Sequence, residues 1–542
     1  MSNRGDVFNN EKGRAPGRSG FDLTHEKKFT CDMGQIIPVL ATAVLPGDVF
    51  QIDNSCVIRF QPMVAPILHQ VDVETFYFFV PYRILDENFE TFITKGIQGT
   101  TELTPPLFDP ALFTTPANVV AMGSLWDFLG FPLLQPPEEA CPMDYPRRAY
   151  YNIWSEYFRD ETLQTALDVT TYGTQHSILN AAWRKDYFTS ALPWTQRGTA
   201  PSLPVFGSAA ATFDLPMTIN NTVDAYMPTT SGTGNPDVLT GMGVFASGGG
   251  FPQQLANVGG TGSYLTAKQS FDGALTDGNT IDGTAFTSVD IADFRLTLAM
   301  QVWMERNARG GARYNEVIRV HWGVAPNDAR LQRPEFIGGT KNHAVISEVL
   351  QTSAESATGT TTPQGNLAGH GIAVQSARVG KYRVEEFGII MGLMVVRPKS
   401  AYQDGINRQW LWRTAFDFPW PEFAGLSEQA IFNAEICTQT IAQDPTGVNN
   451  LNTFGYTGRY NEMRIIPDMV CSEMRTTFDY WHLGRQFNNA SPPALNAAFI
   501  ECVPRKDVFA VPSVPSLIVS FGNHIQAIRP LPFLPIPNTM GV

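Results

Sequence analysis

The sequence predicts a mainly β protein, a sandwich or barrel whose long connections carry a few helices. Three observations predict it. Short β-type runs alternate with Pro and Gly turn signals, one run is apolar on both faces, and few segments have helical periodicity. A chain of 542 residues is long enough to bury a large core without metals or disulfides.

Residues 1–20 hold Arg4, Lys12, Arg14 and Arg18 among Gly, Asn and Pro, with little to bury. This reads as a flexible basic arm, not a secretory signal. Such an arm either contacts nucleic acid or a neighbouring subunit, or is a frayed terminus. Ordered structure is expected from Phe21, and 21–199 form the first part of the body. Residues 35–60 are broken by Pro38 and Pro46-Gly47-Asp48 and followed by Pro62, and between these breaks lie β-type runs such as 49–52 and 56–58. The clearest strand is 71–80. Val71, Val73, Tyr77 and Phe79 share one face; Asp72 and Glu74 begin the other, which turns apolar at Phe76 and Phe78. A strand apolar on both faces is covered on both sides, and Pro81 ends it.

Two helices are expected. Tyr150, Ile153, Trp154, Tyr157 and Phe158 have amphipathic helical spacing. A second helix, capped by Asp290, carries Phe294, Leu298 and Val302 on one face and stops at Gly310-Gly311. Between them, residues 200–287 differ from the rest of the chain. They contain no Arg, Glu, His, Cys or Trp, and six Asp against one Lys. Low-complexity Gly/Ser/Thr pieces alternate with Tyr226, Phe245, Phe251, Tyr264 and Phe271, so the segment reads as an ordered insertion projecting from the body, the alternative being a disordered surface loop. The remaining 288–542 return to β signals at 317–320, 386–390 and 392–396. They end in a Pro-rich stretch (Pro512, Pro515, Pro530, Pro532, Pro535, Pro537) expected to be extended and to stay out of any central strand.

Charged residues are only 16% of the chain, aromatics are 11%, and Trp occurs ten times. Surface so poor in charge is expected to be buried between subunits. The net charge of −13 excludes a protein that coats DNA by bulk charge, so nucleic-acid contact must be local or shared with a basic partner. The most apolar run, 387–396, is about half a membrane span and is read as a buried strand. The six cysteines (31, 56, 141, 437, 471, 502) form no C-x-x-C pair and are read as buried free thiols of a protein made in a reducing cytoplasm.

No phosphate loop, nucleophile elbow or H-E-x-x-H motif occurs, and the eight histidines never fall at metal-ligand spacing. The reading is therefore a non-enzyme with no cofactor and no metal. Asp272-Gly273, Asp277-Gly278 and Asp282-Gly283 are read as hairpin turns, with Ca²⁺ binding the weaker alternative. Arg306, Arg309, Arg313 and Arg319 lie near Trp303, Tyr314 and Trp322. Phosphates pair with Arg and bases stack on aromatics, so this cluster is a candidate single-stranded DNA contact. Glu305 and Glu316 are equally placed to neutralise it.

Several segments resemble a known family. The run Arg18-Ser19-Gly20-Phe21-Asp22-Leu23-Thr24-His25-Glu26-Lys27-Lys28-Phe29-Thr30-Cys31-Asp32-Met33-Gly34 resembles the N-terminal signature of gokushovirus major capsid proteins. Leu45-Pro46-Gly47-Asp48, His69-Gln70-Val71-Asp72-Val73 and Tyr77-Phe78-Phe79-Val80-Pro81 continue it. So do Trp183-Arg184-Lys185-Asp186-Tyr187-Phe188, Arg309-Gly310-Gly311-Ala312-Arg313-Tyr314 and Thr476-Thr477-Phe478-Asp479-Tyr480-Trp481-His482. Thr24 departs from the commoner Ser and keeps its hydroxyl. The resemblance implies an eight-stranded antiparallel jelly roll with long loop insertions, and a T=1 icosahedral virion assembled in the host cytoplasm around circular single-stranded DNA. The implied partners are further copies of the chain, a small basic DNA-associated virion protein and a host surface receptor, with no membrane insertion. The insertion would form a three-fold protrusion used in host attachment. The competing reading is a carbohydrate-binding or cupin-like β-sandwich; a cupin would need clustered His ligands that the sequence lacks, and a lectin would stay a monomer or small oligomer.

Overall fold

The computed structural model describes residues 17–98, 100–108, 120–133, 141–170, 177–201, 291–311, 313–325, 327–350, 355–357, 360–362 and 367–534. The chain divides into two units, one of Met1–Gly198 with Trp303–Val542 and one of Thr199–Val302. Of the second unit, only residues 199–201 and 291–302 are among the described residues.

The first unit is built on two antiparallel sheets. Its strands are β1 (Ser19–Asp22), β2 (His25–Cys31), β3 (Ile36–Val44), β4 (Val49–Phe60), β5 (Val71–Pro81), β6 (Glu335–His343) and β7 (Val345–Leu350). They continue as β8 (Glu355–Ala357), β9 (Thr360–Thr362), β10 (Leu367–Arg383), β11 (Gly388–Pro398), β12 (Glu428–Phe432), β13 (Thr453–Gly458) and β14 (Leu517–Arg529). One sheet runs β1-β14-β4-β10-β7, with β2 following β1 along the same strand β14; the other runs β3-β11-β5-β6. Two small two-stranded sheets, β8-β9 and β12-β13, complete the strands.

Side-chain alternation explains how the sheets stack. Val71, Val73, Tyr77 and Phe79 of β5 point toward the first sheet, where they pack with Ile58, Phe60 and Phe521 in one cluster and with Phe50, Ile52 and Ile525 in another. Between the two clusters lies a buried polar layer. Asn54 donates to the Thr75 hydroxyl at 3.0 Å, the Tyr77 hydroxyl donates to Asn523 at 3.3 Å, and Asn523 donates to the Val39 carbonyl at 3.0 Å. The opposite face of β5 and β11, with Phe78, Val80, Leu393 and Val395, is covered by the helix Tyr145–Ile153. The strand expected to be covered on both faces is so covered. The outer face of the first sheet is open, with Val57, Val374 and Ile518 exposed.

The expected helix around Tyr150 is present and continues through a π turn, Trp154–Phe158. The second spans Ile291–Gly310, but Phe294, Leu298 and Val302 are exposed on it, and Asp290 lies outside the described residues. Five expectations are corrected. Ser19 and Gly20, assigned by sequence to the arm, already pair with Arg529 and Ile528. The runs at 49–52 and 56–58 are one strand, because β4 pairs without interruption along β14. Residues 317–320 are helical, within Tyr314–Trp322: Glu316 accepts the Arg313 N–H at 3.1 Å at its start, and Gly323 closes it in the left-handed region at φ 70°. The Pro-rich C-terminal stretch does supply a central strand. β14 is a proline-free run between Pro515 and Pro530, with β1 and β2 on one side and β4 on the other. Of the cysteines, 31, 56, 437 and 502 are buried free thiols; Cys141 is half-buried, and Cys471 is exposed, contrary to expectation.

Candidate assembly and nucleic-acid surfaces

The Arg cluster forms around a turn. The helix Ile291–Gly310 presents Arg306 and Arg309, Gly311 turns the chain at φ 102°, and Arg313 precedes the helix Tyr314–Trp322. The three guanidinium groups then diverge. Arg313 is turned inward, its side chain 15% exposed and its Nε 3.0 Å from a Glu161 oxygen. It also donates to the Ser155 and Arg159 carbonyls at 3.0 Å each. Arg309 pairs with Glu428 and donates to the Ser427 hydroxyl at 3.1 Å. Arg306 is exposed and has no ion-pair partner among the described residues; the same holds for Arg319.

Beside them opens a cleft of about 980 Å³ lined by Phe76, Tyr157, Trp183, Arg184, Arg309 and Arg313, among others. Most of its cations are neutralised by named acids. Arg184 reaches Asp72 and Glu74 at 2.5 Å each, Lys185 reaches Asp160 at 2.5 Å, and Arg397 pairs with Glu74. Burial alone would raise the Asp160 carboxyl, but the Lys185 ammonium and the Thr162 hydrogen bonds hold it below its ordinary value. This is a tie between β5, β11 and the 183–185 segment more than an open row of phosphate-binding cations.

Arg18 is exposed next to β1. Arg4, Lys12 and Arg14 lie outside the described residues, as do Tyr226, Phe245, Phe251, Tyr264 and Phe271 of the insertion and the Asp272, Asp277 and Asp282 turns. Among the described residues no group of three or more His, Cys, Asp or Glu side chains could hold a metal. No described helix is long and apolar enough to cross a membrane.

Sequence reasoning missed the loop at 410–426. It holds six aromatics in seventeen residues, broken by Pro419 and Pro421 and without helical or strand period; that density was the available signal. Trp410, Phe416, Phe418 and Trp420 are 75%, 70%, 51% and 47% exposed. The loop nevertheless has a fixed shape. Asp417 accepts the N–H groups of Arg413 and Thr414 at 2.9 and 2.8 Å, and the Trp420 indole donates to the Ala415 carbonyl at 2.7 Å. The Trp412 and Phe418 rings meet at 4.9 Å. At its root Arg408 donates to buried Glu435 at 2.9 Å and lies 4.8 Å over the Phe432 ring.

A two-sheet body with little charge and rigid aromatics on its exterior has the build of a shell subunit. The chain belongs to the phage capsid family described as Capsid protein (F protein), which matches residues 11–539. It is 31% identical to capsid protein VP1 of Chlamydia phage 1, with 96% of this chain and 95% of that protein covered. It is 31% identical to capsid protein VP1 of Bdellovibrio phage phiMH2K over 97% and 96% of the two chains, and 29% identical to that of Spiroplasma virus 4 over 98% and 97%. The resemblance to gokushovirus-type microvirus major capsid proteins thus holds over almost the whole chain, and the protein is a structural component of a virion. This is a family of capsid proteins and not of enzymes.

Proposed function

We propose that the chain is the subunit of a closed T=1 icosahedral shell, built on an eight-stranded jelly roll and enclosing circular single-stranded DNA. The observation that carries the jelly-roll reading is strand order. With β1 and β2 taken as one interrupted strand, the eight strands in chain order are β1/β2, β3, β4, β5, β6, β10, β11 and β14. First pairs with last, second with seventh, third with sixth and fourth with fifth. That is the pairing obtained when one long hairpin is rolled into a double sheet. Residues 200–287 fall in the connection between the fourth and fifth strands, at the tip of that hairpin. We place the host-attachment protrusion there, with Tyr226, Phe245, Phe251, Tyr264 and Phe271 as its apolar framework.

The acidic net charge of −13 supports a separate small basic protein on the genome. Within this chain the DNA contacts proposed are Arg4, Lys12, Arg14 and Arg18 of the arm, with Arg306 the member of the Arg trio most free to reach phosphate. Assembly in the host cytoplasm accords with the reduced, unpaired cysteines. The test is sedimentation with negative-stain microscopy of the full chain. Closed particles of uniform size are expected, and a soluble monomer persisting at high concentration would refute the reading.

A further inference from the structure

We infer that the aromatic loop 410–426 is a subunit–subunit contact, seated against a second copy of this chain in the assembled particle. The inference rests on the shell reading above and adds which surface closes it.

The loop is apolar, exposed and already folded, and these three properties together constrain what covers it. Aromatics exposed on a floppy segment would be ordinary surface. Here Asp417 pins the Arg413 and Thr414 amides, the Trp420 indole is fixed to Ala415, and the Trp420 N–H reaches the Tyr460 hydroxyl at 3.2 Å. The backbone hydrogen bonds and the tethered Trp420 indole therefore fix the loop with its aromatic side chains outward. A surface ordered before it meets its partner loses little conformational entropy on docking.

Area points to a large protein surface as the occupant. An aromatic side chain has roughly 150–250 Å² to bury, so these four, half to three-quarters exposed, offer on the order of 450 Å², against about 800 Å² given by each partner in a specific interface. One loop thus supplies about half of a partner's share, far more than a peptide side chain or small ligand would cover. Charge points to a partner of the same kind. Residues 410–426 carry only Arg413, Asp417 and Glu422, so there is no cationic rim to attract DNA phosphate. A second copy, whose own charged fraction is only 16%, is a matching sparsely charged surface. Trp and Phe at the centre of such contacts carry most of the association energy.

The test uses the full chain. Trp410→Ser with Phe416→Ser changes two outward side chains. The expected result is a variant with wild-type thermal unfolding that needs about tenfold or more higher concentration to form particles. Particles formed at wild-type concentration overturn the inference while leaving the shell reading intact. Normal shells with reduced DNA content, or with reduced adsorption to cells, also overturn it, placing the loop on the genome or receptor side. A wild-type chain that stays monomeric sinks both. Hydroxyl-radical footprinting of wild-type protein covers the case of a misfolded variant. Trp410 and Phe416 should be oxidised several-fold more slowly in genome-free shells than in dissociated subunits, and equal rates refute the contact.

Discussion

Asp144, Arg147 and Arg148 show how much a single buried carboxylate can carry. Asp144 and Arg147 are fully buried. Both guanidinium groups donate to the Asp144 carboxylate, Arg147 twice at 2.7 Å and Arg148 at 2.9 Å, and their remaining N–H groups reach the Val169 and Leu85 carbonyls. Replacing the acid removes the carboxylate that two buried cations share. Asp144→Ala is therefore expected to cost about 3–5 kcal/mol, read as a lower urea midpoint at pH 7. A loss under about 1 kcal/mol would mean that water reaches the pair. Asp417 makes a gentler, pH-dependent prediction. The Arg413 and Thr414 amides hold its carboxyl below the ordinary 3.8. A carboxyl depressed in the folded state adds stability that is complete above its unfolded value and is lost as pH falls through the folded one. Order in the 410–426 loop should thus be constant at neutral pH and fade only below about pH 4. The Asp417→Asn variant should lack that acid step; tryptophan fluorescence against pH measures both.

At the scale of elements, β14 decides whether the body exists. Leu517, Val519, Phe521 and Ile525 enter both inter-sheet clusters, and the strand bonds three others. A chain stopped at residue 516 should fail to give a protease-resistant core, whereas one stopped at 534 should give one; limited proteolysis distinguishes them. The sequence did not disclose this role, because the prolines at 515 and 530 bound the strand closely and make the whole region look extended. The double-faced β5 and β11 and the helix around Tyr150 were legible, since burial on two sides or along one stripe leaves a period in the residues. The helix Tyr314–Trp322 was not. Val317, Ile318 and Val320 favour strands, and end effects at Glu316 and Gly323 overrule them. The loop at 410–426 was hidden for a related reason: aromatics exposed for a neighbour look the same in sequence as aromatics buried in a core. The Arg trio was legible as a cluster, but the Glu161 and Glu428 partners that engage Arg313 and Arg309 lie far away in sequence.

For the whole molecule, the different settings of Arg306, exposed, and Arg313, turned inward, predict different effects of removing them. Arg306→Ala should lower retained DNA with little effect on shell yield, while Arg313→Ala should lower shell yield or thermal stability first. Packaged nucleic acid per particle and unfolding temperature, measured on both, would refute this if the effects were reversed. The arm behaves as a further test: changing Arg4, Lys12, Arg14 and Arg18 together to Ala should reduce genome retention more than shell formation, since phosphate contacts add without sequence preference. Replacing 200–287 by a short Gly/Ser linker should leave shells forming and adsorption reduced. Failed assembly would instead make that segment part of the shell wall.

The pairing of β1 with β14 also sets a clock. Ser19 meets Arg529, roughly five hundred positions later in synthesis, and at about 5–20 residues per second a ribosome needs on the order of half a minute to two minutes to bridge them. Throughout that interval the first-made strands have no neighbour on β14's side, and their apolar faces must be shielded by something other than the finished body. Truncated products never complete the sheet. A chain that ends before its fourteenth strand therefore lacks the neighbour that β1, β2 and β4 share in the finished sheet.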